Sequence, residues 1–197
     1  EEVLSSRMVS SPLTVRDSCL VTDGGGAIIL TSAERAKSLK KAPAYVLGVG
    51  DDLSHYSISN MADLTVTGAV RSGAAAYSMA GLKSKDIDVL GLYDAFTITT
   101  LLFLEDLGFC PKGEGGRFVA HGGIAPGGKL AVNTNGGGLS YCHPGMYGVF
   151  ILIEAVRQLR AEAGARQVAN CETALAHGNG GTLSAQSTVI LGTAATL

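Results

Sequence analysis

The sequence predicts a layered α/β fold with a mixed sheet, and three observations carry that expectation. Short apolar runs alternate with helix-length segments along most of the chain. The last two apolar runs follow one another with no helix between them. The 197 residues are 46% hydrophobic and only 16% charged, which suits a sizeable core in one domain, with room for a second small one. The 27 glycines imply many tight turns or close backbone approaches.

The elements follow in order. Residues 1–18 are polar without a period and read as a ragged start. Residues 27–30 follow a glycine triplet and read as a buried strand. Ser32 then caps a short helix, with Glu34 and Arg35 early and Lys37, Lys40 and Lys41 late. Pro43 stops it, and residues 44–49 read as a second strand. Residues 70–79 are small and alanine-rich, a close-packing helix that ends at Gly81. Residues 88–92 are a short apolar strand, and residues 97–107 an apolar helix stopped by Gly108. The glycine-rich stretch 113–138 has little periodicity and reads as a long loop. Residues 148–163 are the best helix, with Leu152, Val156 and Leu159 as its stripe and its first turns apolar all round. Residues 168–176 and 187–191 close the chain as strands.

Charge and cysteine usage exclude several functions. The formal net charge is −2 and the basic residues are scattered, so neither a nucleic-acid stripe nor a membrane-binding basic helix is expected. No apolar stretch reaches the ~18–20 residues of a membrane span, and no secretory leader opens the chain. The cysteines Cys19, Cys110, Cys142 and Cys171 lie far apart with no CxxC spacing. No metal site is expected from them, and a reducing, cytoplasmic home is the simplest reading. The chain opens on glutamate, which reads as processing or as part of something longer.

Two glycine motifs invite a nucleotide reading and fail it. "GIAPGGKL", residues 123–130, has Leu130 where a phosphate loop needs Ser or Thr for magnesium. "VLGVGDD", residues 46–52, has two of the three glycines of a dinucleotide fingerprint and no helix behind it.

Three other motifs hold the reactive side chains. In "LYDAF", Tyr93 and Asp94 follow a buried strand and precede a buried helix, where α/β sheets carry ligand sites. Asp94 is either a helix cap or a site residue. In "SYCHPG", Pro144 and Gly145 suit a helix entry and place His143 at or just before a helix N-terminus. A neutral imidazole there serves as base or hydrogen-bond donor, or merely caps the helix. In "ALAHGNGGTLS", His177 ends an apolar strand before a glycine turn. The N–H groups of Gly178, Gly180 and Gly181 either point at an oxyanion or belong to a hairpin with a solvated histidine. His55 and His121 have no comparable context.

Taken in order, "AGLKSKDIDVLGLYDAF", "NTNGGGLSYCHPG" and "ALAHGNGG" with its following strand resemble the C-terminal half of the thiolase family. The resemblance runs from "VTDGGGAIIL" to the end and is nearest to the sterol-carrier-protein-type thiolases and the thiolase-like lipid-transfer proteins. It implies half of a duplicated fold: residues 1–197 as one thiolase-like domain, a five-stranded mixed sheet with helices on both faces. It implies a homodimer in full-length form and a nucleophilic cysteine in the absent N-terminal half. Neither Cys142 nor Cys171 stands at that position.

What the resemblance implies for function is an acyltransferase of the acetyl-CoA acetyltransferase type. Such an enzyme makes or breaks a carbon–carbon bond beside a thioester. No tightly bound cofactor is expected, and a coenzyme A thioester is the substrate. Tyr93 replaces the asparagine that holds a water in degradative thiolases. His177 stands in place of their second catalytic cysteine, and Tyr141 in place of a small or apolar residue. These departures also fit a retro-aldolase that cleaves a β-hydroxyacyl-CoA through tyrosines, and such enzymes often need a small OB-type partner. A third reading is an acyl-CoA or lipid binder that has lost catalysis. In the enzyme readings Tyr93, Tyr141, His143 and His177 are expected around one cavity. Asp94, Gly137, Gly138 and the glycines after His177 would form its oxyanion and substrate loops. No residue stands out as a ligand for adenine or phosphate.

Overall fold

A computed structural model describes residues 1–197. The chain opens with a small antiparallel pair, β1 (Met8–Ser10) and β2 (Leu13–Thr14), where only a ragged start was expected. Helix α1 (Ala33–Ala36) is a single turn, and its N-cap Ser32 accepts from the Arg35 N–H at 3.3 Å. The expected strand at 27–30 is absent. That run finds no ladder partner in this chain, and its Ile29 and Leu30 are 91% and 81% exposed.

The main sheet has five strands in the order β3 (Tyr45–Leu53), β7 (Ala185–Gly192), β6 (Thr173–Gly180), β4 (Val89–Leu92) and β5 (Ala131–Val132). The β3–β7 and β7–β6 pairs are antiparallel; β6–β4 and β4–β5 are parallel. The sheet is therefore mixed, as the alternation of elements implied.

Helices cover both faces. On one, α2 (Ala69–Ala80) and α3 (Thr97–Asp106) bury Ala76, Phe103 and Leu104 against Leu90, Leu92, Leu175 and Ile190. Helix α2 comes close enough to β3 that a Cβ on Gly48 or Gly50 would overlap the Ala76 or Ser72 carbonyl oxygen. On the other face, α6 (Gly148–Leu159) lays Ile151 and Ala155 over Val89, Ala174 and Ala176. Its most buried stripe is Ile151, Glu154, Ala155 and Gln158, while Leu152, Val156 and Leu159 are only partly covered. Glu154 tolerates burial because Thr134, Gln158 and Arg166 all donate to it. Those bonds outweigh the upward push of burial and hold its carboxyl below its ordinary value.

The long loop expected at 113–138 contains α4 (Gly115–Val119), the edge strand β5 and the start of α5 (Gly137–Ser140). Gly81 and Gly108, both at positive φ, end α2 and α3 as expected.

Candidate active site

Strand alternation decides which side chains can meet. Leu92 pairs with His177 across β4 and β6, and both point to the α2–α3 face. Tyr93, one residue on, points to the α6 face, where it packs with Tyr147, Ile151 and Ala176.

Tyr93 meets His143 edge-on, ring centroids 5.2 Å apart. Tyr147 meets Tyr93 at 5.6 Å and lies over His143 at 6.2 Å with 25° between planes. His143 lies in the loop between α5 and α6, four residues before the α6 N-cap, Tyr147. The helix terminus expected to act on its ring is therefore displaced from it. Its backbone N–H donates to Thr22 Oγ1 at 2.7 Å. Its Nε2 is buried and has no hydrogen-bond partner. A buried orphan of this kind is costly unless something else satisfies it.

The glycine triplet explains the turn beneath this ring. Gly136 and Gly137 have φ of 100° and 68°, open to glycine and strained for other residues. A Cβ on Gly137 would run into the Asp94 carboxylate, and one on Gly138 would sit 2.8 Å from His143 Cδ2. Asp94 is buried. Its Oδ1 accepts from Gly138 N–H at 2.6 Å and its Oδ2 from Leu139 N–H at 3.3 Å. Burial pushes its carboxyl up, and those N–H groups partly offset the push. The Gly137 N–H goes to Asn135 Oδ1 at 3.0 Å. The amides of both glycines expected in the oxyanion and substrate loop are thus used internally. The glycines serve to admit Asp94 and His143. Asp94 caps α5, far along the chain, and not the helix that directly follows it.

His177 requires a correction. It lies inside β6, not at its end, and is 0% exposed. Its Nδ1 pairs with Thr188 Oγ1 and its Nε2 with Gln186 Oε1, both at 2.9 Å, and its ring rests on Phe103 at 4.5 Å. Burial drives its pKa down to about 4, so it stays neutral. The sheet separates it from His143. Gly178 and Gly180 also belong to the strand, paired with Ser187 and Ala185, and the turn begins at Gly181 with φ 60°. Tyr141 is 50% exposed and touches Phe150 edge-on at 6.3 Å; Phe150 in turn stacks on Tyr147. Tyr141 therefore joins the Tyr93–His143 group only through two intervening rings. Of the four rings expected around one cavity, the structure brings two into contact.

A cleft of about 540 Å³ opens beside Tyr93, walled by Met146, Val149, Gly178 and the ends of β3 and β7. Its size suits a small-molecule ligand. Burial raises the Tyr93 hydroxyl above its ordinary value, so at neutral pH it is a proton donor; its O–H points to the Gly145 carbonyl at 3.5 Å. Burial also raises all four thiols, Cys171 to about 12, so none ionises readily as a nucleophile. No group of three acidic, His or Cys side chains gathers as a metal site, and no helix is long and apolar enough to cross a membrane.

Sequence reasoning missed Tyr147, Asn135 and Thr22. An asparagine directly before a tripled glycine is a turn signal that points to Asn135. A tyrosine opening an apolar helix is a weaker signal for Tyr147. Thr22 reaches His143 across 121 residues, beyond any local pattern.

Residues 50–193 match the family described as thiolase C-terminal domain-like. The chain is 38% identical over 184 residues to an acetyl-CoA acetyltransferase of Methanothermobacter thermautotrophicus, covering 92% of this chain and 48% of that protein. It is 40% identical over 169 residues to a 17-hydroxy-3-oxo-4-pregnene-20-carboxyl-CoA lyase of Mycobacterium tuberculosis, covering 81% and 42%. A solved structure titled Ltp2-ChsH2(DUF35) aldolase superposes with a TM-score of 0.88 at 34% identity, over 98% of this chain and 50% of that one. The chain spans about half the length of the curated relatives it matches. With the family match covering most of the chain and agreeing with the mixed sheet and the motif order, the chain belongs to the thiolase family.

Proposed function

We propose that this chain is the C-terminal domain of a larger thiolase-like acyl-CoA acyltransferase of the acetyl-CoA acetyltransferase type, which makes or breaks a carbon–carbon bond beside a coenzyme A thioester. The observation that carries the reading is the buried, unpartnered Nε2 of His143 beside Tyr93, at the C-terminal end of β4. An imidazole N–H there stabilises the thioester oxygen as the adjacent carbon becomes an enolate. The acyl-carrying thiol comes from the part of the protein this chain does not span, in keeping with the four raised thiols here. A homodimer belongs to the same proposal, and a small OB-type partner to the aldolase reading that follows.

A second reading is favoured by Tyr93 itself, in the place where degradative thiolases carry asparagine, and by the likeness to a lyase and an aldolase. In a retro-aldol cleavage a base takes the β-hydroxyl proton, and the oxygen's electrons form a carbonyl. The Cα–Cβ bond breaks, leaving its pair on Cα as the thioester enolate. His143 again holds the enolate oxygen. Tyr93, kept protonated by burial, suits the return of a proton to Cα. Tyr141 is the other tyrosine of this reading, and Phe150 and Tyr147 stand between it and the Tyr93–His143 pair.

Product analysis of the full-length protein separates the readings. Thiolysis consumes free CoA with a 3-ketoacyl-CoA and yields two acyl-CoA products. Aldol cleavage of a 3-hydroxyacyl-CoA consumes none and yields one acyl-CoA and one free carbonyl compound. Binding of both substrates with neither product would leave an acyl-CoA binder and remove both enzymatic readings.

A further inference from the structure

The geometry points to Tyr147, anchored by Asn135, as a positioning residue for His143. Tyr147 is fully buried and takes no part in the chemistry proposed above. Its ring lies over His143 and meets Tyr93 edge-on, so it touches both rings at the reacting end of the site. Its hydroxyl donates to Asn135 Oδ1 at 3.0 Å. The same oxygen accepts the Gly137 N–H, also at 3.0 Å. Gly138, the next residue, packs against the edge of His143. One amide oxygen therefore fixes both the turn under the imidazole and the ring over it.

The arrangement explains why an amide side chain suits this position. Both partners of Asn135 Oδ1 are donors, so the side chain must present an acceptor between them. An apolar side chain of the same size would leave two buried donors unsatisfied, and the Tyr147 ring would be free to move. Apart from its packing on Tyr93 and Gly138, His143 is held by its backbone bond to Thr22, and its Nε2 has no partner within the chain. Neither Asn135 nor Tyr147 touches the reacting atoms in this account. They act through the orientation of His143.

The inference rests on the reading of His143 as the reacting group, and the test keeps the two apart. In the full-length protein, Tyr147→Phe keeps the ring and removes its hydroxyl. Asn135→Leu removes the acceptor at similar size, and Asn135→Asp keeps it. Tyr147→Phe and Asn135→Leu should each lower kcat by ~10- to 100-fold with KM within ~3-fold, because misorientation acts on the reacting geometry more than on binding. Asn135→Asp should recover kcat to within ~5-fold of the parent. The double variant should fall no further than the worse single, as for two groups acting through one contact. Full kcat in both single variants, alongside a collapse in His143→Ala, would overturn the positioning role and leave His143 in place. Additive losses would also overturn it. Undiminished turnover in His143→Ala would remove the reading on which the inference rests.

Discussion

The Asp94 carboxylate accepts from two successive N–H groups of the turn that carries His143, and its burial leaves it no water to fall back on. Asp94→Asn would set an amide N–H against one of those donors, so denaturant unfolding should show a loss of about 1–3 kcal/mol. His177 offers the complementary case of a buried histidine held neutral. Its folded pKa, about 4, lies below the ordinary value of 6.5. The unfolded chain therefore binds the extra proton first as pH falls. Stability from this group is complete above about pH 6.5 and is lost progressively toward pH 4, by roughly 3 kcal/mol. His177→Gln, which keeps a donor and an acceptor, should flatten that stretch of the melting curve against pH. Both residues were visible in the sequence as reactive types, but their partners were not. Asp94 caps a helix 44 residues away, and the sequence puts His177 at the end of its strand because Gly178 and Gly180 carry no mark that separates a strand glycine from a turn glycine.

At the scale of elements, a strong period was legible and a short or paired element was not. Helices α2, α3 and α6 and strands β3, β4 and β7 lie where apolar spacing and the glycine stops put them. Five strands were expected and the main sheet has five, but through an exchange. The run at 27–30 has no partner in this chain, while β5 joins the sheet by two residues inside a glycine-rich stretch that gave no period. The stripe of α6 was misjudged because Glu154 and Gln158 look like a solvated face until their bonds to Arg166 and Thr134 are known. The seat of α6 on β4 depends on Gly91, where a Cβ would overlap the Ile151 side chain. Gly91→Ala should therefore destabilise by about 1–3 kcal/mol, read by urea unfolding. Ile151→Ala, which removes the overlapping Cγ2, should cost less in the Gly91→Ala background than in the parent.

Across the whole molecule, the sheet sorts the reactive side chains. His143 and Tyr93 lie with α6 on one face, and His177 lies with α2 and α3 on the other. The resemblance gave both histidines a place at one site; the structure puts them on opposite faces of the sheet. The most direct measurement compares two variants of the full-length protein in the acyl-CoA cleavage assay. His143→Ala should lower kcat by ~100-fold or more, while His177→Gln should stay within ~5-fold of the parent. A collapse on His177→Gln in a normally folded protein, with His143→Ala still active, would contradict the account.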